Sequence, residues 1–243
     1  MRMLTFAKRN FKEIIRDPLN LSFLFGFPIV LLLLLSAIQA NIPVSMFEID
    51  HLAPGIAVFG LAFLTLFSAT LISKDRKSSF MQRLYTTPMK PVDFILGYTL
   101  PLVPIAISEG VACYIFAVIL GLDISINIVL SLIFLVPVAV LYIGIGLLCG
   151  SVFNDKQVGG ICGALLTNLS AWLSGIWFDL ELVGGAFKKI SYALPFVHSV
   201  EMERAIISGS VSDALPHLWW VLGYAVVTVF AAVFVFLRQM KNQ

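Results

Sequence analysis

Long uncharged stretches alternate with short polar ones along this chain. Residues 21–40 and 52–73 hold no charged side chain, and neither do 124–153, 158–178 and 218–237; residues 94–122 hold one, Glu109. A helix rises about 1.5 Å per residue, so roughly 20 apolar residues cross the hydrocarbon layer of a bilayer. The pattern therefore predicts an all-α polytopic membrane protein with six transmembrane helices, at about 21–40, 52–73, 94–122, 124–153, 158–178 and 218–237, forming one domain over 1–243. The first apolar run is too long for the core of a secretory leader and reads as a span.

The polar stretches carry their own periodicity. Met3, Leu4, Ala7, Phe11, Ile14 and Ile15 fall on one stripe at 100° per residue, with Arg2, Lys8, Arg9, Lys12, Glu13 and Arg16 on the other side. This predicts an interfacial helix over 1–17, broken by Asp17-Pro18. Pro101, Pro104 and Pro137 are expected to kink the third and fourth spans. Gly146 with Gly150 and Gly159 with Gly163 have the GxxxG spacing of close helix packing and flank the short turn 154–157. Between the fifth and sixth spans, Ile190, Leu194 and Phe196 are too apolar for a free loop. Residues 179–217 are expected to form a re-entrant or interfacial helical hairpin, interrupted at Pro195 and ended by Gly209.

Composition agrees with a lipid environment: 12% of residues are charged, about half the share usual in soluble domains. The net charge of +2 hides an asymmetry. All basic residues except Lys188, Lys189 and Arg204 fall on the side that holds both termini and residues 74–93, which the positive-inside rule makes cytoplasmic. Topology and anionic inner-leaflet lipid account for these charges, and no nucleic-acid partner is expected. Trp177, Trp219 and Trp220 fall at the opposite interface.

Candidate chemistry is sparse. No phosphate-cradling loop, nucleophile elbow or metal-binding His or Cys motif occurs, so neither catalytic nor metal-ligating residues are expected. Cys113, Cys149 and Cys162 lie inside predicted spans and read as small apolar residues. His51, His198 and His217 are far apart in sequence and read as solvated interfacial groups. Glu109 is the one ionisable residue deep in a span, where such a group faces protein or water. It reads either as part of a substrate path, with Asn168, or as a structural hydrogen-bonding group partnered by Asn168, Thr167 or backbone.

The segment 74–93 pairs Phe80, Met81 and Leu84 with Arg76, Lys77 and Arg83, a composition suited to docking on a soluble partner. Here Ser79-Phe80-Met81-Gln82-Arg83-Leu84-Tyr85-Thr86-Thr87-Pro88, followed by Leu96-Gly97, resembles the membrane subunits of type-2 ATP-binding cassette exporters, the drug and antibiotic-resistance permeases in particular. Their loop commonly reads Gly-Phe-Leu-acid-Arg-Leu-Leu-x-Thr-Pro; Ser79 replaces the glycine and Gln82 the acid. A second similarity runs through Leu173-Ser174-Gly175-Ile176-Trp177-Phe178, Ala193-Leu194-Pro195 and Glu203-Arg204, without the family's intervening proline. The resemblance implies an export permease of the plasma membrane that pairs with a second permease copy, identical or related, and moves a hydrophobic or amphipathic substrate. A separate ATPase subunit would grip residues 79–88 and hold the ATP and Mg, leaving this chain without a cofactor. The alternative from the residues themselves is a self-contained proton-coupled transporter using Glu109.

Overall fold

The computed structural model describes residues 2–43, 47–78 and 91–241, and every regular element among them is a helix. Helix α1 (Arg2–Ile15) ends before an elbow where Asp17 Oδ1 accepts from the Asn20 backbone N–H at 3.2 Å and Pro18 opens the next helix. Helix α2 (Pro18–Gln39) contains a π-helical stretch, Ser22–Gly26. Then follow α3 (Ile49–Lys77), α4 (Pro91–Thr99), α5 (Leu102–Ile119) and α6 (Ile126–Val152). Helix α7 covers 155–173 and opens on a capping box in which Asn154 and Gln157 satisfy each other's backbone N–H. Three short helices, α8 (Leu180–Val183), α9 (Gly185–Ala193) and α10 (Pro195–Ile207), lead to α11 (Val211–Lys241).

Five helices among the described residues are long and apolar enough to cross a membrane: α2, α3, α4 continued by α5, α6 and α11. The fifth expected span, 158–178, falls short of this. Helix α7 stops at Leu173, is π-helical over Gly159–Leu166 and carries Thr167, Asn168 and Ser170. Glycines at 159, 160 and 163 weaken regular helical geometry there. The expected kink in the third span is a break, with α4 ending at Thr99 and α5 beginning beyond Pro101.

Helix α3 is the axis of the bundle. It is buried along nearly its whole length, whereas most of α2 and α11 is turned outward. It packs against α2, α5, α6 and α10. Two glycines set the closest of these contacts. A Cβ on Gly146 would stand 1.8 Å from Ser68 Oγ and 2.5 Å from the Thr65 carbonyl oxygen, and one on Gly150 would stand 2.6 Å from the Ala69 carbonyl oxygen. With the backbones this close, Thr65 Oγ1 donates to the Tyr142 carbonyl at 3.0 Å. The second GxxxG pair does not do the same work. Gly159 has nothing within 4 Å, and Gly163 meets only the Leu66 side chain at 3.3 Å.

Packing adds detail to two further segments. The apolar stripe of α1 faces protein, with Phe6, Ala7, Asn10 and Ile14 buried while Leu4 and Ile15 stay exposed. Within 179–217 the helices α9 and α10 are interrupted at Pro195 and end before Gly209, and α10 is built into the bundle wall, with Phe196, Val197, Val200, Met202 and Ile206 buried. Gly184 and Gly185, at φ +59° and +58°, make the turn between α8 and α9 that L-residues resist.

Gly150→Val should lower the melting temperature of the detergent-purified chain, corresponding to about 1–3 kcal/mol for overpacking. Gly159→Val, at a position with open space, should shift it far less.

Candidate functional site

The expected docking residues Ser79, Phe80, Met81, Gln82, Arg83, Leu84, Thr87 and Pro88 lie outside the described residues. What flanks them is well defined. At the Lys77 end of α3, Asp75 is buried and receives both arms of Arg9 from α1, Nη1 to Oδ2 at 2.7 Å and Nη2 to Oδ1 at 2.8 Å. Tyr98 of α4 donates to the same carboxylate at 2.9 Å, and Glu13 flanks Arg9 at 2.7 Å. Burial works against the Arg9 charge, but the hydrogen bonds and field of Asp75 outweigh it and raise its pKa. Arg76 on the next position donates to the Gly150 carbonyl at 2.8 Å and to that of Ser151, capping the end of α6.

Gly97 of the sequence motif Leu96-Gly97 now has a physical reason. Gly97 seats Phe6, whose Cδ1 would lie 2.2 Å from any Cβ there, and Phe6 then meets the rings of Tyr98 and Phe94 edge-on. Pro101 has no N–H to offer the Gly97 carbonyl four residues back. Asn10 supplies the donor instead, Nδ2 to Gly97 O at 2.9 Å, fully buried. Helix α1 thus completes the backbone bonding near the Thr99 end of α4 and ties that helix to the Lys77 end of α3.

Glu109 is buried beside α3. Cys113 Sγ donates to its Oε1 at 3.0 Å, and Gly60 leaves the space it occupies, since a Cβ there would sit 1.9 Å from Oε1. Asn168 is not its partner. That side chain is exposed on α7 and donates to the Ala164 carbonyl of its own helix at 2.7 Å, while Thr167 Oγ1 donates to Cys162 O. The structure does not bring the two expected path residues together.

At the Ile49 end of α3 the other sequence motifs converge. Arg204 of α10 donates to the Gly175 carbonyl at 3.0 Å and to the His51 carbonyl at 3.2 Å, and pairs with Glu201 at 2.9 Å. Gly175, at φ +73°, turns its carbonyl toward the guanidinium, and Ser174 Oγ closes the end of α7 on the Ala171 carbonyl. Pro195 starts α10 at its first turn, where a missing N–H costs nothing. Burial lowers the Arg204 pKa, opposed by Glu201. Beside this clamp opens a cavity of about 420 Å³ lined by Glu48, His51, Trp177, Asp179, Tyr192 and Glu201.

Glu203, singled out in the sequence only as the neighbour of Arg204, is completely buried. Ser131 of α6 donates to its Oε2, and Tyr114 of α5 donates to Ser131 across 2.5 Å. Burial pushes the Glu203 carboxyl up to about 8, the Ser131 bond working the other way. His198 and His217, expected to be separate solvated groups, lie together with their Nδ1 atoms 2.8 Å apart. Nothing local in the sequence distinguishes either feature, because both arise from α10 packing into the bundle.

Two outcomes follow from these contacts. Asn10→Ala strands the buried Gly97 carbonyl and should cost about 1–3 kcal/mol. Adding Pro101→Ala, which restores a backbone donor, should recover part of that loss in thermal melts. For Glu203, folding takes up a proton between the unfolded value near 4.5 and the folded value of about 8. Stability should therefore fall as pH rises through that window and level off above it. Glu203→Gln should give a shallower pH dependence of the melting temperature.

Residues 1–208 match the family model described as ABC-2 type transporter. A comparison with curated proteins found no match.

Proposed function

Because the chain belongs to the ABC-2 type transporter family and is a multi-pass membrane protein, we propose that it is the permease subunit of an ATP-driven exporter. It works with a separate ATPase subunit that binds ATP and Mg, and this chain contributes no catalytic residue. Two permease copies, identical or related, form the pathway in the plasma membrane, with both termini cytoplasmic. Helix α7 is a further span, fifth in chain order, which brings the number to six. Its exposed Gly159, Gly160 and Asn168 suit contact with a second copy better than contact with lipid. Helix α1 lies along the inner interface, with Lys8, Lys12 and Arg16 exposed, and α8 to α10 cover the outer side. The cargo is hydrophobic or amphipathic, in keeping with the apolar spans.

The observation that carries this reading is the clamp of α1 on Asp75, Gly97 and Tyr98. Residues 79–88, which match the family's loop, lie in the chain between α3 and α4, and α1 binds both of those helices. A push on that segment from a partner is therefore delivered to α3, the axis, and to α4 with α5. Closure and opening of two ATPase subunits would then bias the permease pair between inward-open and outward-open states.

Phe80→Ala combined with Leu84→Ala should leave membrane insertion and expression unchanged, while co-purification of the ATPase and ATP-dependent efflux drop at least tenfold. Wild-type transport with normal ATPase binding in that double variant would overturn the assignment of residues 79–88 as the docking segment.

A further inference from the structure

The cavity of about 420 Å³ beside the Arg204 clamp lies at the Ile49 end of α3, away from the contacts of α1. Its volume falls within the roughly 300–1,000 Å³ range of small-molecule sites. Three aromatic rings line it, Trp177, Phe178 and Tyr192. Neighbouring rings hold each of them: Trp177 meets Phe59 at 5.6 Å and 69°, Phe178 meets Trp172 at 6.2 Å and 74°, and Tyr192 meets His198 at 6.0 Å and 79°. The aromatic wall therefore stands ready-made, and a ligand need not order it.

Three carboxylates also line the cavity, Glu48, Asp179 and Glu201, against one guanidinium. That guanidinium is occupied: Arg204 Nε donates to the His51 carbonyl, Nη2 to that of Gly175 and Nη1 to Glu201. Arg204 thus neutralises Glu201, which leaves Glu48 and Asp179 to set the sign of the space. Lys188 is ion-paired with Glu181 and rests 5.8 Å from the Tyr192 ring centre, within the reach at which a ring face draws a cation. A negative cleft with low-dielectric walls concentrates cations and repels anions. Among the described residues no three acids, histidines or cysteines converge on one point, so the carboxylates are spaced too widely to ligate a metal ion. Charge distributed around an aromatic space suits a large, weakly hydrated cation instead, whose body takes the rings and whose charge takes the carboxylates.

We propose that this cavity binds one organic monocation with a hydrophobic body, of the quaternary ammonium or phosphonium class. Trp177 and Tyr192 contact the body, and Glu48 with Asp179 holds the charge. Arg204 is a positioning residue: it fixes the Gly175 turn that leads into Trp177 and Phe178, and it keeps Glu201 in place. The inference rests on the cavity alone and is independent of the transport reading above.

The test is equilibrium dialysis of tetraphenylphosphonium against the purified full chain in maltoside detergent, with tetraphenylborate as a probe of the same shape and opposite charge. The expected result is one saturable phosphonium site per chain, weakened by added salt, and no saturable borate site. Tyr192→Ala and Glu48→Gln should each weaken phosphonium binding at least fivefold. Tyr192→Phe, which keeps the ring, should bind as the wild type does. Asp179→Asn, which can still cap the Glu181 backbone N–H, should weaken binding to the same extent without lowering the melting temperature. Trp219→Ala removes an exposed ring outside the cavity and should change nothing. Absence of a saturable site, equal binding of the borate, or an equal loss in Trp219→Ala would overturn the assignment, the last by showing that the cation adsorbs to the aromatic surface at large.

Discussion

Lipid tails are as apolar as leucine, so no hydrophobic force gathers helices inside a bilayer; they associate by close packing and by hydrogen bonds that small residues make reachable. In this chain that constraint is met where α6 lays Gly146 and Gly150 on Thr65, Ser68 and Ala69 of α3. The approach is close enough for Thr65 to reach a carbonyl of the neighbouring helix. Because α3 also carries α2, α5 and α10, the position of every other element is referred to this one seam. Gly60 applies the same principle on another face of α3, where the missing side chain is replaced by the Glu109 carboxyl.

The two ends of α3 are fixed by arginines in different ways. At one end Arg9 makes a two-armed ion pair with Asp75, and Arg76 caps α6. At the other end Arg204 binds backbone carbonyls of His51 and Gly175 and one carboxylate. A planar guanidinium with several donors suits both tasks, since it can satisfy groups from different helices at once. The end next to residues 79–90 is held through a charge pair with a partly exposed member. The opposite end is held through two backbone carbonyls, which cannot titrate, together with the Glu201 carboxylate.

The long apolar runs made the helical membrane architecture legible, because twenty uncharged residues have few alternatives. The motifs around Ser174, Gly175, Pro195 and Arg204 were legible as a set, and the structure joins Gly175 to Arg204 across 29 residues. What escaped was everything decided by which side of a short helix faces inward. Phe6 and Asn10 took the buried stripe of α1 instead of Leu4 and Ile15, because α4 offered a glycine seat and an orphan carbonyl. Nothing around Glu203 in the sequence announces that α10 buries it against Ser131. The GxxxG spacing in 159–163 looked like that in 146–150; only the presence of a partner backbone separates them.

Asn10 and the Gly97 carbonyl it serves are 87 residues apart. Helix α1 precedes α4 in the chain, and the two apolar helices α2 and α3 lie between it and the Gly97 carbonyl it is shaped to meet. Helix α1 therefore lacks this partner until α4 has been made. Its docking is a late event that reports whether α2 and α3 have gone in correctly.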